Sequence, residues 1–225
     1  MRFMKRMLIV CSLLYISMLS IAKDLPQPLP ILKTGWTRVN IINVGFFDIP
    51  ESMEVQKGKY KESIDATKKI KGYNVAQLTA QQKGLNEYNN KSYEKYARVL
   101  VETELGKMGE FEKINFDISV FTQTDINQIN NTFKKNVKLG LESVNLKLIE
   151  WYPIKVEKVN GMSCIHVSYI RQLHDKPNVL VHMYMFQNND RMHKFTLSYR
   201  LSESEYWKTD FATILKSIRI TNIRL

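Results

Sequence analysis

Four histidines, His166, His174, His182 and His193, and the cysteine Cys164 fall within one short stretch of the chain. Such residues could hold a metal or carry out nucleophilic catalysis, and each chemistry makes its own demand on geometry. A metal needs at least three converging ligands. In the strand register derived below, His166 and His182 share a face of a sheet but sit diagonally. His174 lies in a loop and His193 points to the other face. Two diagonal histidines without a neighbouring carboxylate fit sheet-surface residues better than a metal centre, so no metal site is expected. Ser168 falls opposite His182, which suggests a hydrolase pair. However, a nucleophile usually stands on a turn beside an oxyanion hole, and no Gly-x-Ser-x-Gly is present. Cys164 and His166 are side-by-side neighbours on one strand. Glu102, Glu104, Glu110 and Glu112 surround Gly106 and Gly109 and read as a solvated hairpin end. No glycine loop cradles a phosphate, and Gly84 and Gly140 are isolated. These patterns predict no catalytic residue and no cofactor.

The elements that must position these side chains follow from periodicity. Trp36 to Val55 reads as strand, turn, strand with a break at Pro50. Glu54 to Lys71 is a charged surface excursion. Val75 to Lys83 and Tyr93 to Glu104 read as strands around the polar loop Asn86 to Ser92. Ile126, Ile129, Phe133 and Val137 then recur at three- and four-residue steps, which predicts a helix over about 122–140, capped by Thr122 or Thr124.

Asn160-Gly161 is the strongest hairpin signal in the chain. It pairs Val159 with Met162, Val156 with Ile165 and Ile154 with Val167. The loop around Asp175-Lys176-Pro177 places Tyr169 opposite Val181. A three-residue turn at Asn188-Asn189-Asp190 pairs Gln187 with Arg191, Met185 with His193 and Met183 with Phe195. A two-residue turn would instead oppose Phe195 with Tyr184. The three-residue turn keeps the apolar sets together, giving one core face of Tyr152, Ile154, Val156, Ile165, Val167, Tyr169, Val181, Met183, Met185, Phe195, Leu197 and Tyr199. The expectation is a four-stranded antiparallel meander over 148–201. A second helix over about 203–218, with Trp207, Phe211, Ile214, Leu215 and Ile218 as its stripe and Ser202 or Ser204 as cap, covers it. Arg219 to Leu225 returns as an edge strand.

The chain has 225 residues, is 44% hydrophobic and 24% charged, and carries a formal charge of +11. That is enough for a single core and too structured for a disordered linker, and two cysteines exclude a disulfide scaffold. Arg2, Lys5 and Arg6 precede the apolar run Met7 to Ile21, and Ser20-Ile21-Ala22 supplies small residues at a cleavage site. The run is short for a membrane span, which takes about 20 apolar residues. Val10 before Cys11 does not suit a lipidation motif. The reading is a signal peptide over 1–22, a proline-rich tether over 23–35 and one domain over 36–225. Cleavage removes three positive charges and leaves Cys164 alone, so stability must come from the core. The remaining excess charge sits in clusters such as Lys68, Lys69, Lys71 and Lys134, Lys135, Lys138. These lack the interleaved aromatics of a single-strand nucleic-acid binder. Export also argues against nucleic acid, and the charge fits an anionic envelope surface, an acidic partner or plain solubility.

The run Val181 to Asn188, then Phe195-Thr196-Leu197-Ser198-Tyr199-Arg200, then Trp207-Lys208-Thr209-Asp210-Phe211 and Leu215-Lys216-Ser217-Ile218, resembles the C-terminal half of PsbP-like and DcrB-like domains. Phe47-Asp48-Ile49-Pro50-Glu51-Ser52-Met53 is similar to the opening motif of that superfamily. The resemblance spans roughly Trp36 to Ile220. It implies an α+β fold, an α/β/α sandwich with a central, mainly antiparallel sheet. The superfamily includes photosystem assembly subunits, a Ran-binding protein and secretion-system chaperones. Their common thread is protein binding, and they offer no catalytic residues to carry over.

The face of the meander opposite the predicted core collects Trp151, Lys155, His166, Ile170, His182, Tyr184, Phe186, Lys194, Ser198 and Arg200. It is too apolar for water and too polar for a dry core. The first helix and the N-terminal strands are expected to cover it. Otherwise it is a binding groove, with Trp151, Lys155, His166, His182, Tyr184 and Lys194 as its candidate contacts. The function expected is non-catalytic binding of a protein or other envelope component, in the periplasm or outside the cell. A carrier for a small apolar ligand or lipid is the alternative, and a hydrolase ranks behind both.

Overall fold

The computed structural model describes residues 29–57, 76–85, 95–115 and 118–224. The signal over 1–22, the start of the tether, most of the excursion after Lys57 and the polar loop before Lys95 lie outside the described residues. No helix among the described residues is long and apolar enough to cross a membrane.

Among the described residues, ten strands form two sheets, accompanied by two α-helices. β1 (Trp36–Ile41), β2 (Gly45–Pro50) and β10 (Arg219–Ile220) form a small sheet in the order β1-β2-β10. β3 (Met53–Val55), β4 (Ala76–Gln82), β5 (Ala97–Leu105), β6 (Leu146–Val159), β7 (Met162–Leu173), β8 (Val179–Asn188) and β9 (Arg191–Arg200) form the large sheet in the order β3-β4-β5-β9-β8-β7-β6. All the described pairs are antiparallel. The expected meander is there as β6 to β9. The sheet nevertheless has seven strands rather than four, because β5 pairs along the whole of β9 and brings β4 and β3 with it.

Helix α1 (Gln123–Glu142) packs on β6, and α2 (Ser204–Ser217) packs on β2 and β9. Thr122 caps α1 in a reciprocal capping box with Asp125, whose amide donates to the Thr122 hydroxyl at 3.2 Å. Neither expected serine caps α2. Its N-cap is Glu203, at the end of a 3-10 turn over Leu201–Glu203, and no side chain bonds the first turn. The small sheet is tied to α2 through Asp48, which is buried and held bidentately by Arg38 at 2.8 and 3.0 Å. The Asp48 amide donates to Ser217 Oγ at 2.8 Å. Gly45 has φ +154°, and a Cβ there would overlap the Arg219 carbonyl, so only glycine lets β10 close on β2.

Two registers decide which residues share a face. At Asn160-Gly161 both φ values are positive, 51° and 84°, and Val159 pairs with Met162 as expected. Tyr169 pairs with Val181 and Ser168 with His182, also as expected. The β8–β9 turn is different: Asn188 pairs with Arg191, so the loop has two residues and Phe195 lies opposite Tyr184. The cause is a strap. Phe111 exchanges backbone hydrogen bonds with Asn189 at 2.7 and 2.6 Å, the Gly106 amide donates to Asp190 O, and the Gly109 amide donates to Asn189 Oδ1. Phe195, Leu197 and Tyr199 therefore leave the predicted face and join Tyr184 and Phe186 beneath α2. The sheet has two cores, not one. The α2 side holds Phe47, Val99, Phe186, Phe195, Trp207 and Ile214. The α1 side holds Ile154, Val167, Tyr169, Val181, Met185 and Leu141.

Candidate functional site

The hairpin β6–β7 and its neighbour β8 place a polar group at the α2-side face of the sheet, toward the β6 edge. Lys155 pairs with His166, Glu157 with Cys164, His166 with Tyr184, and Ser168 with His182. Alternation puts all of these on one face, and the diagonal step brings the two histidine rings together. His166 Nε2 lies 3.0 Å from His182 Nδ1, and His166 Nδ1 lies 3.3 Å from Glu157 Oε1. The His166 ring stacks on Tyr184 with centroids 4.3 Å apart and planes 13° apart. With neutral rings, one proton arrangement satisfies both contacts. His166 Nδ1–H donates to Glu157, His182 Nδ1–H donates to His166 Nε2, and His182 Nε2 is left as an acceptor.

Burial controls the charge states. Burial, helped by Lys155 and, for His182, by the neighbouring His166, pushes both histidines down to about 4, so both are neutral near pH 7. The Glu157 carboxyl is raised by burial against the pull of Lys155. Burial and the adjacent Glu157 push the Cys164 thiol up to about 12, and the Tyr184 phenol is raised for the same reasons. Cys164 is thus a protonated core thiol, the wrong state for a nucleophile. His182 Nδ1 is engaged by His166 rather than by Ser168. Among the described residues no three metal-ligating side chains converge. The arrangement offers a hydrogen-bond acceptor at the half-buried His182 and the exposed cation Lys155, backed by the buried Tyr184 ring on which His166 stacks.

Of the six residues expected to share this face, Lys155, His166, His182 and Tyr184 do so. Trp151 does not. β6 changes register between Tyr152 and Lys155, a bulge that contains Pro153 and turns Trp151 to the α1 side. Proline has no amide hydrogen for the ladder, and an edge strand tolerates the gap. Trp151 stacks on Tyr169 at 6.3 Å, and Asn130 on α1 accepts from both its indole Nε1 (2.9 Å) and the Ile154 amide (3.2 Å). Lys194 is also on the α1 side, 3.6 Å from Glu102 Oε2, because the two-residue turn reverses every side chain of β9. Ser198 and Arg200 go with it. His193 makes the opposite move, onto the α2 side opposite Phe186. It is fully buried, its Nε2 accepting from Asn188 at 3.3 Å and its Nδ1 2.9 Å from Thr103 Oγ1. His174 occupies a turn with φ +46°. The sequence reading missed Glu157, although the Val156–Ile165 pairing already put it opposite Cys164. It also missed Asn130, for which the chain carries no local signal.

Fold and site together define an α+β protein built on a long antiparallel sheet, with a half-buried histidine pair on one face. No family model matches the chain, and no curated protein matches it either. Among solved structures, the chain is similar to a cyanobacterial PsbP (CyanoP) from Synechocystis sp. PCC 6803, with 14% identity, a TM-score of 0.47 and coverage of 84% of this chain and 95% of that one. A Bacteroides thetaiotaomicron protein shows 7% identity and a TM-score of 0.41, over 78% of this chain and 44% of that one. A Pseudomonas aeruginosa protein of unknown function, called a putative regulator, shows 8% identity and a TM-score of 0.36, over 82% of this chain and 96% of that one.

Proposed function

We propose that this chain is an exported, non-catalytic binding domain of PsbP-like type. Its Lys155–His166–His182–Tyr184 face would receive a protein or another component of the cell envelope. The observation that carries this reading is the state of the site's reactive groups. The histidines hydrogen-bond each other and Glu157, and the thiol beside them is held protonated. Such a group recognises a partner through stacking and hydrogen bonds rather than activating a substrate. The export signal read from Arg2 to Ala22 gives the compartment.

The test is retention of an envelope component by the immobilised chain, compared between two substitutions on opposite faces. Lys155→Glu with His182→Ala should abolish retention, and Lys194→Glu on the α1 side should leave it intact. Equal retention by both variants rejects the assignment of the face.

A carrier role is the second reading, favoured by an open cleft of about 590 Å³ between the small sheet and β3–β4. Val39, Ile49, Met53, Val55 and Leu78 line it together with the polar Thr37, Asn40, Glu54, Gln56 and Lys57. Native mass spectrometry of the purified chain should then show a bound apolar molecule, and a bare chain mass rejects the carrier.

A further inference from the structure

On the α1 side of the sheet, away from the histidines, two arginines converge on one tyrosine. Tyr96 precedes β5 and lies across the sheet, so that its phenol oxygen accepts from Arg171 Nη2 on β7 at 3.2 Å. Arg98, two residues on and on the same face, sits with its guanidinium carbon 5.8 Å from the Tyr96 ring centroid. Ser198 on β9 lies directly opposite Arg98, and its hydroxyl donates to the Arg98 backbone carbonyl at 3.5 Å. Among the described residues neither guanidinium has a carboxylate partner, although Arg38, Arg191 and Lys194 all do. Both arginines are half-buried, so their charges are only partly screened by water.

The hydrogen bonding around them is incomplete. Arg98 Nη2 donates to Gln81 Oε1 at a long 3.5 Å, and Gln56 Nε2 donates to the same oxygen at 3.4 Å. Arg98 Nε and Gln81 Nε2 are buried with no partner, and Gln81 is wholly inaccessible. A buried donor left unpaired costs about 1–3 kcal/mol. Two guanidiniums with no carboxylate partner among the described residues, beside two unpaired N–H groups, call for an acceptor with negative charge. Burial acts to raise the Tyr96 phenol, but Arg98 and Arg171 outweigh it and hold the phenol below its ordinary value.

We propose that Arg98 and Arg171, with Gln81 behind them, form a binding site for an oxyanion, the carboxylate or phosphate group of a small ligand. The planar guanidinium fork matches both groups bidentately, which a lysine would not do. The anion would pair with the half-buried guanidiniums of Arg98 and Arg171.

The experiment is a thermal-unfolding titration of the chain with inorganic phosphate and, separately, acetate, each against sodium chloride of matched ionic strength. One oxyanion or both should raise the midpoint saturably above chloride, and which of them does so tells phosphate from carboxylate chemistry. Arg98→Gln and Arg171→Gln should each weaken the apparent affinity roughly ten-fold, and Lys134→Gln on the exposed side of α1 should not. Arg98→Lys keeps a charge for folding and should still bind more weakly. The Tyr96 phenol gives an independent readout. Its ultraviolet titration should move to higher pH when the anion binds, and Tyr96→Phe should remove that signal. No stabilisation beyond chloride by either anion, or an undiminished effect in both arginine variants, overturns the proposal.

Discussion

The two faces of the large sheet are held in different ways. On the α2 side, Trp207, Phe47, Phe186, Phe195 and Ile214 are fully buried, and Phe195 meets Phe47 and Phe186 edge to face at 6.1 and 5.8 Å. Such pairs add about 0.5–1.5 kcal/mol beyond area burial. On the α1 side the helix rests on the edge strand β6, and its stripe of Ile126, Ile129, Phe133 and Val137 is only half-buried; Leu141 alone is fully covered. The rest of that face carries Arg98, Glu102, Lys194 and Arg171. The aromatic side anchors the fold, and because it does, the other side can keep charged groups within reach of solvent.

The contrast can be broken by substitution, and the largest effect belongs to the α2 side. Trp207→Ala should cost about 3–5 kcal/mol in denaturant unfolding, and it also loses the indole bond to Lys95 O. A smaller loss would mean that α2 is not the anchor.

Acid should act on the same side. His166, His182 and His193 are each pushed down to about 4 by burial. Unfolded histidines titrate near 6.5 (the ordinary value), so between about 6.5 and 4 the unfolded chain binds more protons than the native one. Stability is then complete above that window and falls as pH drops through it. Urea unfolding at a series of pH values should show the fall, and His193→Gln should flatten it. An unchanged slope would show that this histidine is not held neutral.

On the α1 side the effects are expected to be smaller. Asn130→Ala strands the Trp151 indole and the Ile154 amide and should cost about 1–3 kcal/mol. Hydrogen exchange should quicken across α1 while α2 stays protected; equal acceleration of both helices would erase the contrast. Thr122→Ala removes the capping box of α1 and should cost about 1 kcal/mol, measured the same way.

Much of this was legible in the residues. Asn160-Gly161 fixed the β6–β7 turn because both positions need positive φ, and the three-four repeat from Ile126 to Val137 marked α1. Ser168 against His182 followed from the Tyr169–Val181 pairing across the next loop. The gathering of Lys155, His166, His182 and Tyr184 was thus in reach, whereas Trp151 and Lys194 were misplaced. Pro153 was the available warning for Trp151, since a proline inside a long strand signals a bulge. Nothing local warned of Lys194.

Local chemistry therefore determined the Asn160-Gly161 turn, the α1 cap and the helical stripes, since each depends on residues within a few positions of one another. Tertiary structure decided the rest. Strand β8 is apolar on both sides, Val181, Met183 and Met185 on one and Tyr184 and Phe186 on the other, so alternation alone could not choose which face of β9 goes with which. The choice fell to Phe111, from a distant strap, pairing with Asn189. The same step that put Phe195 beneath α2 placed Ser198 opposite Arg98, within reach of Tyr96. Which side chains meet across a doubly buried sheet is set by the neighbours each strand finds, and those come from far along the chain.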